Sequence, residues 1–228
     1  MKAETTFSPQ QPHNKLLILA AREVLRPLGL VQRGRSRTWI DDHGWWLGVV
    51  EFQPSSWSRG SYLNVGVNWL WNPKDYLSFD DEVTGENHHT ARVHLPGDVE
   101  YFEYESDEQF APLAGQLAKL AADEAQRLRA LFPTLEAAAA ALRVVEDLAR
   151  SVDAGVALGL VGDEVAARAM FSRYIDWFDA GGHLHWPPPR VDPRYERAQR
   201  LRDLARDEQK FRERIRADVR EGTSAPQA

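Results

Sequence analysis

The side chains best suited to chemistry in this chain are arginines, amides and a few carboxylate–imidazole neighbours. Arg33, Arg35 and Arg37 alternate along one segment, Glu51 and Gln53 along a second, Asn64 and Asn68 along a third, and Arg92 and His94 along a fourth. Successive side chains of a strand point to opposite faces, so each set would share a face, with Trp39, Trp45 and Tyr62 beside them. On one sheet they would offer forked guanidinium contacts and amide hydrogen bonds to an anionic or peptide-like ligand. A plainer reading stands beside this one: one face of an antiparallel sheet commonly meets water and is polar for that reason alone.

Other constellations carry less. Glu51 facing His94 is an acid–base pair worth testing, although geometry must come before chemistry. His88 and His89 lie among Asp80, Asp81, Glu82 and Glu86, and His183 and His185 precede a proline run, but neither spacing matches a metal-ligand motif. We therefore expect no metal and no cofactor. Asp41-Asp42-His43-Gly44 reads as a hairpin turn. There is no Gly-x-Ser-x-Gly elbow, no phosphate loop ending in Lys-Ser/Thr and no Gly-x-Gly-x-x-Gly.

The composition narrows the classes further. A formal charge of −6 argues against a surface built wholly for nucleic acid. With 43% hydrophobic residues the chain can bury a substantial core. No apolar run approaches the roughly 18 residues of a membrane span, and the start shows no export signal. The absence of cysteine rules out disulfides and thiolate catalysis and fits a reducing compartment, so a cytoplasmic location is expected. Basic residues are mostly arginine, as a GC-rich bacterial genome would produce.

The elements that would position these groups follow from periodicity. A helix is expected over Asn14–Arg26, with Asn14 as N-cap and Leu17, Ala21, Val24 and Leu25 on its core stripe. Strands are expected over Val31–Ile40, Trp45–Gln53, Tyr62–Leu70, Ala91–Leu95 and Val99–Tyr104, the last two around a Pro96-Gly97-Asp98 turn. Ser106 to Gln109 is a capping box opening a helix that ends at Pro133. Helices over Leu135–Arg150 and Glu164–Asp179 come next, with Gly155, Gly159 and Gly162 read as breaks between helices and Asp163 as an N-cap. Asp192-Pro193 opens one last, mostly charged helix that either lies on the surface or projects outward.

Leu25-Arg26-Pro27-Leu28-Gly29-Leu30, then Arg33-Gly34-Arg35, a strand closing on Phe52-Gln53-Pro54-Ser55, and Leu63-Asn64-Val65-Gly66-Val67 form a recognisable order. It resembles the bacterial family catalogued as domain of unknown function 4304, over residues 14–135, with Leu30 where an aromatic residue is commoner. The resemblance implies an α+β fold and brings no catalytic residue.

The expectation is thus an α+β protein. An N-terminal helix packs on an antiparallel sheet of about five strands, followed by a helical C-terminal half. Residues 14–135 form the α+β domain, 136–182 a helical extension, 183–192 a Pro-rich connector and 193–220 a charged helix, with 1–13 and 221–228 disordered. The function expected is that of a non-catalytic binding or interaction protein using Arg33, Arg35, Arg37, Glu51, Gln53, Asn64, Asn68 and His94. Its partner would be a protein or an anionic small ligand, not nucleic acid or membrane. The alternative is an enzyme acting on an anionic small molecule or nucleic acid in a cleft between the sheet and the C-terminal helices.

Overall fold

The computed structural model describes residues 12–74, 76–82, 92–94, 99–144, 148–182 and 193–224. His88, His89, His183, His185, the 183–192 connector and the Pro96-Gly97-Asp98 turn lie outside the described residues. The fold is α+β: an N-terminal helix, an antiparallel sheet and a helical C-terminal half. The chain divides into two compact units. Of the described residues, those within 12–68 and 76–128 build one, and those within 69–74 and 129–224 build the other.

In the first unit, α1 spans Pro12–Leu25 and buries His13, Leu17, Ile18, Ala21 and Leu25. Helix entry at Pro12 puts Asn14 inside the helix, not at its cap, because a proline is at home in the first turn. Gly29, at φ +89°, then turns the chain into the sheet, a backbone conformation that glycine adopts without penalty.

The strands are β1 (Val31–Gln32), β2 (Thr38–Asp42), β3 (Trp46–Gln53), β4 (Gly60–Trp69), β5 (Asp81–Glu82) and β6 (Tyr101–Glu103). The order is β1-β2-β3-β4-β5, and β6 also pairs with β4. β4 therefore has β3 along one edge and three short pieces along the other. β6 lies opposite Gly60–Tyr62, a single bridge joins Arg92 to Asn64, and β5 lies opposite Gly66 and Val67.

Val31–Ile40 is not one alternating strand. Gly34 at φ +55°, a Ser36 amide bonded to the Arg33 carbonyl, and an Arg33 amide bonded to the Thr38 carbonyl turn it back on itself as a hairpin. The register of β2 on β3 sets Thr38 opposite Glu51 and Trp39 opposite Val50. Trp39 thus belongs to the apolar face with Val50, Phe52, Leu63, Val65 and Val67, all at most 2% exposed. After β6, Ser106 Oγ accepts from the Gln109 amide and opens α2 (Asp107–Leu131). Five of its eight buried residues are alanine: Ala114, Ala118, Ala121, Ala122 and Ala125.

The second unit contains α3 (Leu135–Arg143), α4 (Ser151–Leu160), α5 (Glu164–Asp179), α6 (Pro193–Leu204) and α7 (Glu208–Ser224). Thr134 and Asp163 cap α3 and α5 by accepting from the Ala137 and Ala166 amides. The expected helix over Leu135–Arg150 stops at Arg143, and α4 follows a short 3-10 turn at Leu148–Arg150. Every residue of α4 from Ser151 to Gly159 is buried, with α3, α5 and α7 against it. Gly155 and Gly159 are therefore interior residues of a central helix and do not break it. A Cβ on Gly155 would stand 2.6 Å from the Phe171 ring, and one on Gly159 would stand 2.5 Å from the Phe211 ring.

The charged C-terminal segment is two helices instead of one, and it packs within this unit. Ala198, Leu201, Ala205, Phe211 and Ile215 are each at most 5% exposed. Among the described residues, no helix is long and apolar enough to cross a membrane.

Candidate functional site

The polar side chains converge on the second face of the first unit's sheet, at the end where β3 finishes and β4 starts. Opposed residues share a face, so the Asn64–Arg92 bridge puts the Arg92 guanidinium beside Glu51 and Gln53. Arg92 Nε donates to Asn64 Oδ1 at 3.3 Å, and an Nη donates to Gln53 Oε1 at 2.9 Å. Asn64 Nδ2 donates to the same Gln53 oxygen at 2.9 Å and to Glu51 Oε2 at 3.2 Å. The guanidinium carbon sits 3.8 Å from the Tyr62 ring centroid, a cation–π contact, and Tyr62 packs on Tyr101. Glu100 closes the outer side, 3.5 Å from Arg92 and 3.7 Å from His94.

Chemically, this is a cross-linked lattice of amides, carboxylates and one guanidinium, with the Glu100 carboxylate and the His94 imidazole at its rim. Gln53 Oε1 accepts from two donors, and Arg92 has contacts on all three of its nitrogens. Such a network holds its members in one arrangement.

Not all the expected residues join it. Arg33 and Arg35 sit in the β1–β2 turn, with Arg35 exposed. The alternation rule fails there because the backbone is turning, not extended. Arg37 lies on the side of β2 that carries Trp39, and its carbonyl accepts from the Phe52 amide. Burial pushes the Arg37 guanidinium down to about 10, with Glu51 and Tyr101 pulling back upward, so it remains cationic at neutral pH. Asn68 is buried at 4% exposure and accepts from the amide and hydroxyl of Ser78, which ties down the strand that follows. Trp45 falls in the β2–β3 turn. The face is also not uniformly polar: Ile40 pairs with Val49, and Val49 is 2% exposed.

Sequence reading missed the loop at the rim. Ser55 Oγ accepts from the amides of Trp57 and Ser58, Ser58 Oγ bonds Tyr101 Oη at 2.7 Å, and the Tyr104 amide donates to the Arg59 carbonyl. This bracing leaves the Trp57 side chain 93% exposed. A Pro-Ser-Ser-Trp-Ser run signals a loop, and nothing in it announces that the tryptophan stays outside.

Two further polar groupings are structural in form. His43 Nε2 lies 2.9 Å from the buried Asp41 carboxylate and stacks on Trp46, closing the β2–β3 hairpin. In the second unit, Asp153 Oδ1 accepts from Trp71 Nε1 and Asn72 Nδ2, each at 2.9 Å. Arg197 donates to Asn72 Oδ1, to the Trp71 carbonyl and to Asp218 Oδ2, while Arg214 takes the other Asp218 oxygen. Burial lowers the Arg197 pKa, and the Asp218 and Asp153 carboxylates oppose that shift.

Among the described residues, no group of three or more His, Asp or Glu side chains is placed to hold a metal ion. Comparison with protein-family models, with curated proteins and with solved structures finds no match to this chain.

Proposed function

We propose that the protein is a non-catalytic binding or interaction protein of a reducing, cytoplasmic compartment. Its recognition surface would be the polar sheet end formed by Glu51, Gln53, Asn64, Arg92 and the 54–59 loop. One observation carries the reading. The polar side chains there are bonded to each other, and the 93%-exposed Trp57 stands at their rim on a loop braced by Ser55. A rigid polar floor beside an exposed aromatic is the composition of a recognition surface, where tryptophan and arginine contribute most of the affinity. A nucleophile–base pair would instead leave one partner unengaged toward the substrate. Kinship with the resembled family over residues 14–135 is part of this proposal for the fold alone.

The test uses the purified protein in a thermal-shift screen against nucleotides, phosphorylated metabolites, divalent metals and short oligonucleotides. Affinity capture runs beside it with wild-type, Trp57→Ala and Gln53→Ala baits. A partner or ligand held by wild type and lost by both variants supports the reading. A partner held equally by all three overturns it, and turnover of a screened metabolite would move the protein to the enzyme class.

A further inference from the structure

The polar lattice leaves one donor and one acceptor open, side by side. Gln53 Oε1 accepts from both Arg92 and Asn64, which fixes the orientation of the amide. Its Nε2 has no hydrogen-bond partner among the described residues. Glu51 gives Oε2 to Asn64 and keeps Oε1 without a hydrogen bond. Both residues are half-buried, and their bonded oxygens lie 2.9 and 3.2 Å from the same Asn64 nitrogen. Side-chain contacts run from this pair to the exposed aromatic. Arg92, bonded to Gln53, covers the Tyr62 ring at 3.8 Å, and Tyr62 packs on Tyr101 at 4.8 Å. Tyr101 Oη bonds Ser58, the residue after Trp57, at 2.7 Å. Trp57, 93% exposed, offers both faces of its ring.

Charge decides against an ionic ligand at this pair. The lattice sets one guanidinium against two carboxylates, Glu51 and Glu100, and all three Arg92 nitrogens are engaged. Nothing in it is left over to hold a phosphate or carboxylate. An ammonium or guanidinium brings donors alone, and so gives the Gln53 N–H groups no acceptor. A hydroxyl donates and accepts through one oxygen, so neighbouring hydroxyls satisfy Glu51 Oε1 and Gln53 Nε2 together. The C–H face of a sugar ring is apolar surface that an open indole can cover. We propose that this surface binds an uncharged oligosaccharide. Glu51 and Gln53 hold the hydroxyls of one sugar residue, and Trp57 packs on a ring of the same chain. Because the lattice is already cross-linked, few side chains have to be ordered on binding. The proposal rests on the polar-face reading and names its ligand class.

The test is a calorimetric titration of the full chain with maltotriose, cellotriose and mannotriose, with sialyllactose and adenosine as charged and planar comparators. Wild type, Trp57→Ala, Trp57→Phe and Gln53→Glu are compared. Gln53→Glu keeps an oxygen for Arg92 and Asn64 and loses only the open N–H donors. The expected result is saturable binding of at least one neutral trisaccharide. Trp57→Ala and Gln53→Glu should each weaken it about tenfold, and Trp57→Phe, which keeps an aromatic face, by no more than about threefold. No binding of any trisaccharide overturns the proposal, as does binding that Trp57→Ala and Gln53→Glu leave unchanged. Tighter binding of sialyllactose overturns the uncharged assignment, and tighter binding of adenosine gives the surface to a nucleobase instead. A protein captured by wild type and lost by Trp57→Ala and Gln53→Ala, with no sugar bound, defeats this proposal and leaves the polar-face reading standing.

Discussion

The ring of Phe171, on α5, occupies the space that a side chain on Gly155, in α4, would need, with 2.6 Å from the ring to the site of the missing Cβ. Phe211, on α7, stands in the same relation to Gly159 at 2.5 Å. α4 can be the buried centre of its unit because two of its turns carry no side chain where aromatic rings approach. Gly155→Ala and Gly159→Ala should each cost about 1–3 kcal/mol through overpacking. Gly115, in α2, is a control: a Cβ there meets nothing within 4 Å, so Gly115→Ala should gain about 0.5–1 kcal/mol of helix stability. Denaturant midpoints of the three variants check both signs.

Arg197 and Asp218 hold α6 and α7 by an ion pair of 3.2 Å in which the carboxylate side chain is only 1% exposed. Removing the cation leaves the buried Asp218 carboxylate with Arg214 beside it. Arg197→Ala should lower stability by about 3 kcal/mol, the lower end for breaking a buried pair, because Arg214 still contacts Asp218. Urea unfolding followed by far-ultraviolet circular dichroism measures it. Replacing Arg212, whose partner Glu208 is largely exposed, should leave the same midpoint nearly unmoved.

Trp57 should be separable from the fold. Trp57→Ala is expected to change stability by no more than about 0.5 kcal/mol, as for surface substitutions generally. It should also remove a readily quenched component of the tryptophan fluorescence in acrylamide titrations, since Trp57 is 93% exposed whereas Trp39, Trp46, Trp69 and Trp71 are at most 1% exposed. A variant that melts several degrees lower would show that the side chain packs.

His13 makes a pH prediction. Burial, then the charges of Arg37 and Arg59, hold its folded pKa below the ordinary 6.5, so the unfolded chain binds its proton more readily. Stability from this site is therefore complete above the unfolded pKa. It falls as pH drops through 6.5 toward the lower folded value, where imidazole must charge in place. His13→Gln should remove that part of the acid sensitivity. The gap in unfolding free energy between wild type and variant should narrow, or reverse in the variant's favour, between pH 8 and pH 5.

Much of this architecture was legible in the sequence, and the reason is local. A 3.6-residue apolar stripe marked α1, a Ser-x-x-Gln cap placed the start of α2, Asp163 placed that of α5, and Asp-His-Gly marked the β2–β3 turn, because each signal rests on residues that are neighbours in the chain. The association of Glu51, Gln53 and Asn64 followed from alternation along two true strands. Alternation failed at Arg33 and Arg35, where a turn interrupts the strand, and it misplaced Trp39, whose face is decided by its pairing with Val50.

What only tertiary structure decided was which polar groups find each other and which glycines are filled by a distant ring. Gly155 and Gly159 look like helix breakers until Phe171 and Phe211, from later helices, occupy the space beside them. Arg197 looks like one of many surface arginines until Trp71, Asn72 and Asp218 surround it, across separations of up to 126 residues. Periodicity reports the face a residue takes on its own element. The packing of elements far apart in the chain determines what that face meets.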